Sequence, residues 1–168
     1  MITLDQLLAA RDSRRELQLR LLSSHPEKTL VVLTVNIPGS EKRSRESYDI
    51  GMEGVRLLCG LLAGRDNLKI IRDFNTGFEA FLLTSLGEED AKRLCVGIEE
   101  EHPLGRLMDI DVIGHDGVPL SRKRFGREAR RCLMCGEDAR ICMRSGRHTL
   151  QELTHKIHQM HNEYFQRT

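Results

Sequence analysis

The run Leu30-Val31-Val32-Leu33-Thr34-Val35-Asn36-Ile37 leaves this chain few ways to fold. β-Branched and apolar residues fill both alternating faces, so as a strand it must be covered on two sides and sit at the centre of a sheet. Pro38-Gly39 stops it. Everything else is read as what flanks and covers that strand. Upstream, Thr3-Leu4-Asp5-Gln6 has the form of a capping box, and Leu4, Leu7, Leu8, Leu17 and Leu21 have helical spacing, predicting a helix or bent helical pair ended by His25-Pro26. Downstream, Tyr48, Met52, Val55, Leu58, Cys59 and Leu62 recur at helical steps, with Ser44 as cap and Gly64 at the exit. Leu68 to Phe74 and Phe78 to Thr84 read as paired strands, with Asn75-Thr76-Gly77 supplying the positive-φ positions of the turn. Ser85-Leu86-Gly87-Glu88 reads as a second capping box before Ala91, Leu94, Cys95 and Ile98. A strand from Leu107 to Ile113, then a turn into a short strand from Val118 to Ser121, closes a β-α-β-β-α-β order. The fold class is α+β: an antiparallel or mixed, ferredoxin-like sheet with an N-terminal helix and a C-terminal Cys-rich helical extension.

The 168 residues fit one domain, with a core over 1–121 and a basic, Cys-rich extension over 122–168. Net charge +1 gives no global attraction to nucleic acid or membrane. Absent Trp and few Tyr and Phe leave little surface for stacking bases, so nucleic acid is not an expected partner. No apolar run spans a bilayer and Met1 to Arg11 lacks the pattern of a signal peptide, so a cytoplasmic protein is expected. Five cysteines, an odd count, then suggest reduced thiols or a metal rather than a disulfide framework.

The chemistry concentrates in His102-Pro103-Leu104-Gly105-Arg106-Leu107-Met108-Asp109-Ile110-Asp111-Val112. On a strand, Asp109 and Asp111 share a face while Ile110 and Val112 anchor the other. Such a pair suits Mg2+ or Mn2+ held over a polyphosphate, with Arg106 carrying charge that builds on a leaving group. The plainer alternative is two aspartates on the wet face of a strand. Glu99-Glu100-Glu101 weigh against it: they crowd a helix C-terminus, where the macrodipole disfavours anions, and such conflicts gather at functional sites.

Arg122, Lys123, Arg124, Arg127, Arg130 and Arg131 are interrupted by a single acid, Glu128, so a strongly positive local potential and an anionic partner are expected. Cys132-x2-Cys135-x6-Cys142-x5-His148 has the ligand types and spacings of a Zn2+ site, against the alternative of reduced thiols packed under the last helix. That helix is capped by Thr149-Leu150-Gln151-Glu152 and has an apolar stripe of Leu150, Leu153, Ile157, Met160 and Tyr164. Its His155, His158 and His161 drift around the surface and read as solvated or partner-facing.

The block from His102 to Val112, with Arg130-Arg131-Cys132-Leu133-Met134-Cys135 and Cys142, closely resembles apo-citrate lyase phosphoribosyl-dephospho-CoA transferase, the holo-acyl-carrier-protein synthase of citrate lyase. The resemblance implies attack by a serine hydroxyl of the citrate lyase acyl carrier subunit on the α-phosphorus of 2'-(5''-triphosphoribosyl)-3'-dephospho-CoA, with release of pyrophosphate. In that reaction Asp109 and Asp111 would bind Mg2+, Arg106 and the Gly105 backbone would steady pyrophosphate, and His102 would orient phosphate or take the serine proton. Arg122, Arg124, Arg130 and Arg131 would meet the triphosphate or the acidic carrier. Two rivals stand beside it. One is a nucleotidyltransferase using an ordinary nucleoside triphosphate. The other is a non-enzymatic adaptor that binds an acidic protein through the basic patch and a zinc-stabilised Cys/His knuckle.

Overall fold

The computed structural model describes residues 2–62 and 69–166. Leu68 and the expected helix exit at Gly64 lie outside them. The central strand β1 (Thr29–Val35) is almost wholly buried and pairs with β3 (Gly77–Thr84) on one side and β4 (Met108–Ile113) on the other. β2 (Lys69–Phe74) adds to β3, giving the order β2-β3-β1-β4, antiparallel throughout. β4 is therefore an edge strand. In the tight β2–β3 turn only Gly77 takes a positive φ, so Asn75 and Thr76 do not serve as left-handed positions.

Helices α2 (Arg45–Leu61) and α3 (Glu88–Glu101) cover one face of the sheet. Val31, Leu33, Ala80, Leu82, Met108, Ile110 and Val112 point into that layer. Gly51 is needed there because a Cβ would lie 2.4 Å from the Phe78 ring. The opposite face, with Leu30, Val32, Phe81, Leu83 and Ile113, packs under Leu17, Leu21 and Leu22 of α1 (Leu4–Ser24). α1 is one helix with its capping box formed, and its N-terminal half stays exposed because its leucines there find no sheet beneath them.

One expected cap and one expected strand are corrected. α3 is capped by the Gly87 backbone with no side-chain bond, because the hydroxyl of Ser85 accepts from Lys28 instead. Val118 to Ser121 makes one isolated bridge, Ile113 with Pro119, rather than a strand, since a proline cannot donate to a ladder. Beyond it come a turn at Arg122–Phe125, the short α4 (Ala139–Ser145) and α5 (Leu150–Phe165). α5 returns to the main core through Ile157, Met160, Tyr164 and Phe165. Of its histidines, His155 is exposed as expected, whereas His158 meets Glu46 at 3.2 Å and His161 meets Asp49 at 2.9 Å, which ties α5 to α2.

Candidate active site

Gly105 opens the site because nothing larger fits. A Cβ there would lie 2.2 Å from the Ile98 carbonyl oxygen and 2.8 Å from that of Glu99. The turn Gly105–Leu107 thus folds back on the end of α3 and brings Arg106 beside Glu99, Arg122 and Arg130. Arg106 forms no ion pair with another described residue, and burial together with the charges of Arg130 and Arg122 lowers its pKa. A guanidinium held among like charges favours an incoming anion.

Two residues on, period-two geometry places the carboxylates. Asp109 lies opposite Thr34 and Asp111 opposite Val32, while Met108, Ile110 and Val112 enter the α2–α3 layer. Both aspartates therefore stand on the face that α1 covers. Asp109 is 42% exposed and Asp111 is half-buried. Burial, then the neighbouring charge of Asp109, pushes the Asp111 carboxyl above its ordinary value. Two carboxylates with too little positive charge between them suit a hard divalent ion. The same register continues across the sheet as a polar row, Asp109, Thr34, Glu79 and Arg72. Buried Glu79 takes Arg72 at 2.5 Å and Arg14 of α1 at 2.7 Å, so Arg14 is a structural partner rather than a solvated charge.

The outer edge of β4 is sealed between the two aspartates. Ile110 donates its N–H to Glu99 Oε1 at 2.8 Å, and its carbonyl accepts from Lys92 Nζ at 3.0 Å. Both side chains come from α3 and are about 5% exposed or less. They satisfy an edge that would otherwise invite another strand, and they fix the peptide that spaces the carboxylates. Glu99 also takes Arg122 at 3.2 Å and Arg130, and Arg130 reaches Asp109 at 2.9 Å. Burial raises the Glu99 carboxyl against the pull of Arg130, the Ile110 amide, Lys92 and Arg122.

A second cluster lies in the extension. The ligand atoms of Cys132, Cys135, Cys142 and His148 all fall within 4.8 Å of one another, a group able to hold a metal ion. Cys135 Sγ is 3.4 Å from Cys142 Sγ and 3.3 Å from His148 Nε2, and every described cysteine is free. The local chain explains the convergence. Arg131 bridges Asp138, Gly136 turns with φ +75°, and Asp138 caps α4 so that Cys142 faces inward.

The family described as Apo-citrate lyase phosphoribosyl-dephospho-CoA transferase matches residues 2–164. The chain belongs to that family. A Vibrio cholerae protein named "Probable apo-citrate lyase phosphoribosyl-dephospho-CoA transferase" is 40% identical over 97% of this chain and 93% of its own length. A Streptococcus pyogenes protein of the same name is 33% identical over 98% of this chain and 88% of its own. Among the described residues no helix is long and apolar enough to cross a membrane.

The structure brings together Gly105, Arg106, Asp109, Asp111, Arg122 and Arg130 from the transferase block and the basic segment. It sets the others apart. His102 belongs to the α2–α5 junction: its Nδ1 accepts from Leu104 N–H at 3.2 Å, and its Nε2 meets Tyr164 Oη at 3.2 Å and Glu53 at 3.5 Å. Burial outweighs Glu53 and lowers its pKa, and both ring nitrogens already have partners within the protein. Tyr164 donates to Glu53 at 2.6 Å, and the Arg56 guanidinium beside Glu53 holds that carboxyl down to about 2. Much of the positive charge of the basic segment is paired. Arg124 pairs with Glu89, Arg127 with Glu100 and Arg131 with Glu128. No sequence motif marks Glu99 and Lys92 as part of this cluster. The one hint was the acidic end of α3, whose apparent conflict with the helix dipole is resolved by the arginines folded over it.

Proposed function

We propose that the chain attaches the prosthetic group of citrate lyase. It transfers the 5''-phosphoribosyl-3'-dephospho-CoA unit from the triphosphate precursor to a serine of the apo acyl carrier subunit and releases pyrophosphate. The observation that carries this reading is the meeting of two same-face carboxylates with Arg106, which has no ion pair among the described residues, and with the Arg122–Glu99–Arg130 cluster. Family membership supports the reaction class. The strand order supports reading the sheet as the split, ferredoxin-like arrangement within one transferase domain.

Asp109 and Asp111 suit Mg2+ or Mn2+, because their donors are hard oxygens and burial makes Asp111 costly to ionise without a cation. Bound there, the ion would draw charge from the phosphates and help align them. Arg106 and the Gly105 backbone face the departing pyrophosphate, where developing charge is greatest and preorganised donors count most. Arg130 joins the two halves: it holds Asp109 in place and stays within reach of the same phosphates. Arg124 and Arg131 sit in exposed ion pairs that can be exchanged for the acids of a carrier protein. His102 acts as a structural tie, not as the base. The Cys/His group has the soft donor set of Zn2+ and takes no direct part in the transfer.

The test is pyrophosphate release from purified chain, apo carrier and precursor. Release should require Mg2+ or Mn2+, resist competition by ATP, and fall steeply in Asp109→Asn and Asp111→Asn while carrier binding persists. Full turnover in either variant would overturn the assignment. Carrier binding without turnover in the unaltered protein would favour the adaptor reading.

A further inference from the structure

Between Gly117 and Ile157, Cys142 is the single buried residue. Yet this stretch carries Arg122 and Arg130 into the centre of the site. A segment with so little apolar burial is not held in one shape by the hydrophobic effect, and chains of this kind are ordered by cross-links or metals. Leu133 touches the inner core but remains partly exposed, one contact for the whole hairpin.

The Cys/His group stands where a cross-link would be most useful. Cys132 and Cys135 lie on the hairpin, Cys142 on α4 and His148 on the approach to α5, which is anchored in the core. Three sulfurs and one imidazole nitrogen within 4.8 Å of one another match a closed tetrahedral Zn2+ site, for which metal–ligand distances of about 2.0–2.3 Å are usual. Four protein ligands leave no open position, so the ion would act as a structural tie. The hairpin it closes is the one that presents Arg130. Ala139 donates its N–H to the Arg130 carbonyl at 2.9 Å, and Arg131 bridges Asp138.

We propose that Cys132, Cys135, Cys142 and His148 bind one Zn2+ that clamps the hairpin and so holds Arg130 on Glu99 and Asp109. The link to turnover rests on the transferase reading above; the clamp itself does not. The full chain, purified without chelators, should carry about one zinc per chain by elemental analysis. Cobalt exchanged into it should show the intense visible bands of tetrahedral thiolate ligation. Cys135→Ser should lose the metal and His148→Cys should keep it. Removing zinc with a thiol-directed mercurial, Mg2+ being kept in excess, should speed hydrogen exchange at the Ala139 amide while the Leu33 amide stays protected. This comparison within the unaltered chain holds even if Cys135→Ser fails to fold. In the transferase assay, zinc removal should lower kcat on the order of 100-fold, as loss of one preorganised donor does. The same treatment of Arg130→Ala should cost nothing further. A zinc-free native protein, an Ala139 amide that remains protected after stripping, or equal losses in both backgrounds would overturn the proposal. If no variant turns over at all, the transferase reading fails, and metal content and exchange still decide the clamp.

Discussion

The sheet with its helices and the cysteine-bearing extension keep their shapes by different means. In the first, Leu33, Leu58, Phe78 and Leu82 are essentially without solvent contact, and the buried charges Glu79 and Glu99 each have cationic partners. In the second, Met143 is 77% exposed and Ile141 61% exposed, and the chain has a short hairpin, ion pairs and a group of sulfur and nitrogen atoms able to hold a metal. The candidate site lies on the seam: its carboxylates belong to the well-packed part, and Arg122 and Arg130 to the weakly packed part.

The largest effect should fall on chemistry alone. Asp109→Asn or Asp111→Asn should reduce pyrophosphate release by about 1,000-fold, read in a single-turnover assay, with zinc content and Tm close to those of the parent. A large fall in Tm would show that the aspartates hold the sheet rather than the reaction. Next, Leu33→Ala in the buried layer should cost about 2–5 kcal/mol in a denaturant titration, and the extension should be lost with it. Glu99→Gln follows, at about 2–3 kcal/mol, because Arg122 and Arg130 would keep their charge without a buried counter-charge. Its kcat should fall more than its KM for precursor rises, since the carboxylate spacing on β4 loosens.

Acidification should separate the regions more gently. Glu53 has its carboxyl held down to about 2, first by the Arg56 hydrogen bonds. A depressed carboxylate adds stability that is complete above its unfolded value and is lost as pH falls toward the folded value. Between pH 5 and 2 the folded state should therefore lose on the order of 1–2 kcal/mol of stability through this group, discounted because Arg56 is largely exposed, and Glu53→Gln should flatten that slope. The smallest effect is expected for Met143→Ala on the outside of α4, below about 0.5 kcal/mol by the same titration. A loss comparable to that of Leu33→Ala would mean that the extension has a core of its own.

Much of this was legible in the chain. The Leu30–Ile37 run reads as a central strand because its apolar residues fill both faces, and β1 is that strand. Period two puts Asp109 and Asp111 on one side, as the register bears out. The Thr3, Ser44 and Thr149 caps are local bonds over three residues and form as read. Ser85 failed as a cap because Lys28, far away in sequence, claims its hydroxyl. The basic segment reads as more freely charged than it is for a related reason: Arg122, Arg124 and Arg127 pair with acids of α3 that only folding brings near.

Local spacing alone determined most of the elements, the shared face of the two aspartates and the ligand types of the Cys/His group. These depend on backbone periodicity, which is a property of neighbours. Tertiary structure alone decided that Glu99 and Lys92 would take the free N–H and carbonyl of Ile110, that His102 would be spent on Glu53 and Tyr164, and that Arg130 would span the seam to Asp109. Each of those contacts joins residues whose charges and open hydrogen bonds are matched in space, after burial has set what must be neutralised.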